Sequence, residues 1–196
     1  MSVSETGQIA PLDRGLMDVR AMLGKNAKGL DALLKGFMPP ERFCGAILTL
    51  CRANPDLTDH TKAHRASLLL AVMRIAQLQI SPDPALGQAW VVPRKGRAEF
   101  QLGWKGCLAL AYRSPLVRAV RYNVVGKADR FVWRDGRDYH LEHEPVEEGW
   151  PTKLDDVRAA WCIIETTRGG DIPRVMYRAE IERHKARGAG SQPAWA

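Results

Sequence analysis

Apolar residues recur at every third or fourth position as far as Ile80 and at every second position from Val117 onward, so a helical half precedes a stranded half. Between residues 13 and 36, Leu16, Met17, Met22, Leu23, Leu30, Leu33 and Leu34 keep helical spacing, and Gly24 and Gly29 break it into two short helices. Pro39-Pro40-Glu41 predicts the next helix start, with proline near the first turn and a carboxylate facing the positive end of the dipole. Phe43, Ala46, Ile47, Leu50 and Cys51 line one face of that helix until Asn54-Pro55 ends it. Residues 62–80 are the most apolar helical stretch. Leu68, Leu69, Ala71, Val72, Ile75, Ala76 and Leu78 leave little polar surface, which predicts the central helix of the core.

Ser81-Pro82-Asp83-Pro84 cannot continue that helix, because two prolines remove amide donors and push the preceding residues toward extended backbone. Gln88 to Val92, closed by Pro93, and Ala98 to Leu102 then read as two strands joined by Arg94-Lys95-Gly96-Arg97, a β-hairpin with a basic tip. Gly103 and Gly106 flank Trp104 and Lys105, and Leu108, Leu110, Ala111 and Tyr112 carry a helical pattern up to Ser114-Pro115. Lys105 therefore stands at a strand-to-helix junction.

Further strands are predicted at Val117–Val125, Arg130–Arg134, Tyr139–His143, Val157–Thr167 and Ile172–Tyr177, separated by Gly, Asp and Pro, and they suggest an antiparallel meander. Ala179–Arg187 returns to helix and residues 188–192 read as a loop. The expected class is α+β: N-terminal helices packed on an antiparallel β-meander and hairpin, with a basic helix in the centre.

Composition narrows the class further. A chain of 196 residues, 45% hydrophobic, can bury a core of its own. There is no apolar run of 18 residues, and MSVSETGQIAPLDR lacks the basic and apolar regions of a signal peptide, so a soluble cytosolic protein is expected. Cys44 and Cys51 lie about two helical turns apart, too far for a bridge, while Cys107 and Cys162 belong to other elements. Free thiols suit a reducing compartment.

The net charge of +7 is unevenly distributed. Residues 82–128 hold Arg94, Lys95, Arg97, Lys105, Arg113, Arg118, Arg121 and Lys127 against Asp83 and Glu99, a balance of +6. Residues 129–156 carry a balance of −5, with Glu142, Glu144, Glu147 and Glu148 crowded together. The first stretch has the donors that phosphates select, and the second should avoid DNA and is free to meet a basic surface of a neighbouring subunit. The candidate nucleic-acid contacts are those eight cations together with Gln101 and Trp104 of the junction. Trp104, Trp90, Tyr112 and Phe131 are either base-stacking groups or core aromatics.

Other chemistries find little support. His140 and His143 fall on opposite faces of a strand, and no HExxH or CxxC spacing exists, so both read as solvated surface histidines and no metal is expected. There is no GxSxG elbow and no phosphate-cradling Gly-rich loop, and hence no catalytic constellation and no cofactor.

The segment Pro82-x-Pro84-x-Leu86-Gly87-Gln88-Ala89-Trp90-Val91-Val92-Pro93, followed by Gln101-Leu102-Gly103-Trp104-Lys105-Gly106 and then Leu110-Ala111-Tyr112-Arg113-Ser114, resembles the RecT family of single-strand annealing proteins. The family pattern is P-N-P-x-L-G-x-A-Y-L-V-P, Q-I-G-Y-K-G and L-A-x-R-S-G in the same order; here tryptophan replaces tyrosine twice, and Pro115 stands where the family has glycine. The likeness continues more weakly through Asn123-Val124-Val125, Asp129-Arg130-Phe131 and His143-Glu144-Pro145, over residues 38–195. It divides the chain into a helical leader, residues 1–37, expected to act as an oligomerisation arm, and a DNA-binding and annealing core, residues 38–196.

The resemblance implies ATP-independent binding of single-stranded DNA and annealing of complementary strands in homologous recombination, without enzymatic catalysis. It implies contact with the annealed duplex intermediate, homo-oligomeric rings or filaments on DNA, a phage exonuclease and a host single-strand-binding protein as partners, and a phage- or prophage-encoded protein in a bacterial cytoplasm. The family continues through further helices past the Pro-Trp that Pro193 and Trp195 approximate, so the chain as given is expected to keep its basic face and assemble weakly. The alternatives are a truncated relative that binds without annealing and a small metal-dependent nuclease, which needs carboxylates beside the basic face.

Overall fold

The computed structural model describes residues 11–146, 151 and 153–188, and side chains from residue 14 to residue 184 within those ranges. Glu147, Glu148, residues 189–192 of the expected loop, Pro193 and Trp195 lie outside them, and Gly188 closes the last helix. The chain divides into two compact units, residues 1–110 and 111–196.

The first unit opens with α1 (Pro11–Lys25) and α2 (Ala27–Leu34), followed by α3 (Pro40–Ala53) and α4 (Arg65–Leu78). A helical pattern hides one face only when something covers it, and here each helix supplies cover for the others. Val19, Leu23, Leu30 and Leu34 are buried with Phe43, Ile47 and Cys51 of α3 and Leu68, Val72, Ile75 and Ala76 of α4 in one cluster. Residues 13–36 thus share a core with α3 and α4, while Met17 of the same helical pattern stays exposed. Polar ties fasten them, among them Arg65 Nη2 to Asp18 Oδ2 at 3.2 Å and Gln79 Nε2 to the Leu33 carbonyl at 3.0 Å. Burial of Cys51 pushes its thiol up to about 11, so it behaves as a small apolar side chain.

α4 is the central helix that its composition predicts. It ends where Gln79 takes a left-handed conformation, φ 49°, and the chain enters the proline turn. Ser81 Oγ accepts from the Asp83 amide, and Asp83 Oδ1 accepts from the Ala85 amide at 3.0 Å, capping a single 3-10 turn at Pro84–Leu86. The antiparallel strands β1 (Ala89–Arg94) and β2 (Arg97–Leu102) follow, packed through Ala89, Val91 and Ala98 on the α4 side of the core. Pro93 is tolerated within β1 because, among the described residues, this strand has a partner on one side only.

α5 (Trp104–Arg113) contains the boundary between the units. The second unit holds β3 (Val117–Gly126), β4 (Arg130–Arg134), β5 (His140–Glu144), β6 (Val157–Thr166), β7 (Ile172–Tyr177) and α6 (Arg178–Gly188). The strands are antiparallel and the class is α+β, as the pattern predicts. Their pairing is not a simple meander: the sheet order is β3-β6-β7, and β4-β5 is a separate hairpin inserted between β3 and β6. Val125, Phe131, Ala159 and Val175 form the small core of this unit, joined by Trp133, Leu141 and Trp161. The outer edge of β3 is partly blunted, since the Val120 amide donates to the Tyr112 hydroxyl at 3.1 Å. Among the described residues no helix is long and apolar enough to cross a membrane.

Candidate nucleic-acid interface

The hairpin tip in the first unit is built by two residues with positive φ, Lys95 at 48° and Gly96 at 75°, between the paired Arg94 and Arg97. Both central residues left-handed is the turn that matches the twist of two paired strands. The tip is fastened from below. His64 donates its amide to the Gly96 carbonyl at 2.9 Å, and the Ala98 amide donates to the Ser67 hydroxyl at 2.8 Å. Three cations are therefore displayed on an anchored loop. Arg94 lies 3.9 Å from Glu99, Lys95 is exposed, and Arg97 lines an open cleft of about 330 Å³ with Arg74, Leu70 and Phe100.

At the other end of the hairpin, two glycines let α5 start against backbone. A Cβ on Gly103 would come within 2.2 Å of the Gly87 carbonyl oxygen, and one on Gly106 within 2.2 Å of the Gln88 carbonyl oxygen. No real side chain sits that close. Gly103 also donates its amide to the Gln88 carbonyl at 3.0 Å, and the Gln88 side chain accepts from the Ser81 amide at 2.9 Å. The proline turn, the hairpin base and the helix start are thereby locked into one piece. Its solvent side carries Trp104, 56% exposed, with the Lys105 ammonium 5.8 Å from the ring centroid. Gln101 is opposite Trp90 in the hairpin register, and both are half-buried. An exposed aromatic ring, an adjacent cation and helix-start amides are the groups that stack a base and hold a phosphate.

The remaining candidates belong to the second unit. Arg113 is exposed in the last turn of α5, where a cation suits the dipole. Arg118 and Arg121 on β3 both contact Glu165 of β6: Arg118 Nη2 to Oε2 at 2.9 Å, and Arg121 Nε to Oε1 in a short charge-assisted bond. Lys127, just past β3, lines a cleft of about 420 Å³ with Asp155, Arg158, Arg178 and Glu182. Six strand positions separate Arg121 from Lys127, about 20 Å. These cations are thus not gathered at one point.

Two residues differ from their expected roles. Phe131 is 7% exposed and packs in the small core, which removes it from base stacking, whereas Tyr112 is 55% exposed. His143 is a buried polar link and not a solvated surface group: its side chain and that of Asp129 are each 3% exposed and lie 3.0 Å apart. Trp161 Nε1, which can only donate, gives its proton to His143 Nδ1 at 3.1 Å, so the imidazole proton sits on Nε2 and points at Asp129. Asp129 also accepts from the Gly126 amide at 2.6 Å and the Val146 amide at 3.1 Å. The bond from His143, aided by these two amides, holds the Asp129 carboxyl below its ordinary range against the opposing effect of burial. His140 is exposed, as expected.

Much of the acidic charge of residues 129–156 is also spent locally. Glu142 and Glu144 both face Arg130, at 3.6 and 3.1 Å, and Asp155 lies 2.7 Å from Arg178. Sequence reasoning missed Glu165 as a partner of the basic strand. Its signal was parity: Ala159, Trp161, Ile163 and Glu165 share one face of β6, so a carboxylate stands in an otherwise apolar row.

Protein RecT of Escherichia coli (strain K12) is 30% identical over 176 residues, which cover 85% of this chain and 62% of that protein. The uncharacterized protein YqaK of Bacillus subtilis (strain 168) is 26% identical over 155 residues, covering 79% of this chain and 51% of that one. The chain thus spans between about half and three fifths of the length of these relatives. The sequence profile of the RecT family matches residues 41–196, a span that includes the hairpin, the glycine-locked junction, the Arg118–Glu165–Arg121 trio and the Asp129–His143 pair, and the chain belongs to that family.

Proposed function

We propose that this chain binds single-stranded DNA through its backbone and promotes pairing with a complementary strand in homologous recombination, without ATP. The observation that carries this reading is the junction at residues 103–106, where close-packed glycines present Trp104 and Lys105 side by side at the base of a hairpin whose fastened far tip carries three cations. Phosphate contacts supply affinity without base identity, and an aromatic face accepts any base, so the surface suits a strand of arbitrary sequence. Family membership supports the annealing role.

The contacts proposed are Arg94, Lys95, Arg97, Gln101, Trp104 and Lys105 in the first unit and Arg113, Arg118, Arg121 and Lys127 in the second. A few phosphates per subunit bind weakly at physiological salt, so subunits are proposed to assemble along the strand, where many weak contacts act together. The proposed setting is the cytoplasm of a bacterial host, with an exonuclease that exposes single strands and the host single-strand-binding protein as partners.

The test is fluorescence anisotropy of labelled single strands and duplexes over a range of salt, first with chelator and then with Mg²⁺. The account expects single strands of different base composition to bind alike, with affinity falling steeply as salt rises and the strands intact throughout. Absence of single-strand binding, or Mg²⁺-dependent cleavage of the strands, overturns it.

A further inference from the structure

We propose that Glu165 is a positioning residue for single-strand binding: it holds Arg118 and Arg121 together as a guanidinium pair that grips the DNA backbone. The inference rests on the reading of this chain as a single-strand binder and adds to it the element that orients two of its cations.

Residues 118 and 121 are an odd number of positions apart and would face opposite sides of a regular strand. A register shift between Val117 and Ala119, opposite Glu165 and Thr166, changes that. A bulge of this kind bends the strand and re-aims a side chain. Arg118 and Arg121 then meet on one carboxylate, each taking a different oxygen of Glu165.

The burial of the three groups is unequal. The Glu165 side chain is 11% exposed, while those of Arg118 and Arg121 are 66% and 67% exposed. The acid is therefore a fixed base and the arginines project from it. Arg121 engages Glu165 through Nε, which leaves both terminal amino groups of its fork for another acceptor. Arg118 meets the other carboxylate oxygen through one terminal amino group, as an ion pair at 2.9 Å. A planar fork held at one edge is pre-set for bidentate recognition of a phosphate. As a device for stability alone the trio is poor, because ion pairs between largely exposed arginines and a carboxylate are screened by solvent.

Two effects of removing the Glu165 charge oppose each other, which makes the sign of the result informative. Glu165→Gln raises the net charge of the trio and, by long-range attraction alone, strengthens binding to any polyanion. Loss of the anchor frees two long side chains, and ordering each again on binding weakens affinity by about two- to tenfold. At 0.15 M salt the long-range gain is screened within about 8 Å. The proposal requires the positioning loss to exceed the part of the gain that acts within that distance.

The experiment measures single-strand affinity and its salt dependence by anisotropy on a labelled oligothymidylate, at 0.15 M salt and above, for the wild-type chain, Glu165→Gln, Arg121→Lys and the double variant Arg118→Ala/Arg121→Ala. Circular dichroism monitors folding. The expected result is about three- to tenfold weaker binding by Glu165→Gln despite its added positive charge. Arg121→Lys, which keeps the charge and loses the fork, weakens binding similarly. The double variant weakens it further, and its log-log salt slope falls by about 0.7 for each phosphate it no longer engages.

Glu165→Gln binding as tightly as wild type or more tightly, while the double variant is weakened, overturns the positioning role. A double variant that binds like wild type removes the arginines from the DNA and overturns the inference, leaving the single-strand reading intact. A wild-type chain that binds no single strand overturns that reading and the inference together. Should Glu165→Gln fail to fold, Glu165→Asp, which keeps the charge but draws the carboxylate back from both guanidinium groups, decides: weakened binding supports the proposal and wild-type binding overturns it.

Discussion

Adding one methyl group at Gly103 tests the junction most sharply. The new Cβ would stand 2.2 Å from the Gly87 carbonyl oxygen, 3.2 Å from the Gly87 carbonyl carbon and 3.2 Å from Trp90 Nε1. A carbon and an oxygen need more than 3 Å, so about 1 Å of backbone must move. The Gly87 oxygen cannot swing aside as the end of a flexible side chain could. Any retreat also stretches the 3.0 Å bond from the Gly103 amide to the Gln88 carbonyl. Overpacking costs about 1–3 kcal/mol and the strained hydrogen bond about 1 kcal/mol more, giving roughly 2–4 kcal/mol for Gly103→Ala. The control is Gly45→Ala in α3, where nothing lies within 4 Å and removal of a helical glycine stabilises by about 0.5–1 kcal/mol. Urea unfolding followed by tryptophan fluorescence measures both. A Gly103→Ala midpoint indistinguishable from wild type, with Gly45→Ala behaving as stated, would refute the backbone contact on which the junction is built.

Lys105→Ala is expected to weaken single-strand binding several-fold and to reduce the salt slope by about 0.7, read from anisotropy at several salt concentrations. Trp104→Ala should change the melting temperature little, because the side chain is 56% exposed, yet weaken binding by about 1–3 kcal/mol equally for different base compositions; a large loss of stability with unchanged binding contradicts the stacking role. Asp129→Asn removes the charged acceptor of the His143 proton and of two backbone amides, and is expected to destabilise the second unit by about 1–3 kcal/mol in thermal melts. Because the Asp129 carboxyl is held below its ordinary range, its contribution to stability is complete above the usual carboxylate pKa of about 3.9 and is lost as pH falls through the lower folded value. Acid titration of Trp161 fluorescence should show that transition in wild type and lack it in Asp129→Asn.

The local grammar of the chain was legible because local rules are strong where proline, glycine and helical periodicity dominate. The ends of α3, the proline turn, the basic hairpin and the start of α5 all lie where sterics and hydrogen-bond donors require them, although the strands run on through Pro93, Arg94 and Arg97 and leave a tip of two residues. Pairing over distance was not legible. Nothing in the spacing of β3 and β4 says that β3 pairs with β6, because an inserted hairpin conceals its partner, and the bulge that unites Arg118 with Arg121 leaves no mark in composition. The alternation of polar and apolar residues also misled at His143, since a histidine bonded on both ring nitrogens is as buried as an apolar residue while its sequence context looks solvated. The basic residues were countable from the sequence, but their counter-ions were not. Glu165 neutralises part of one pair, and Arg130 and Arg178 absorb acids that a charge count had assigned to a repulsive surface.

The central claim is tested most directly by adding a second, complementary strand to a preformed complex of the chain with the first. The two strands carry a donor and an acceptor fluorophore, and the solution contains chelator and no nucleotide. The account predicts energy transfer that rises faster than in protein-free controls, with both strands full length at the end. Pairing no faster than in the control by a chain that binds the first strand, or shortened strands, would contradict it.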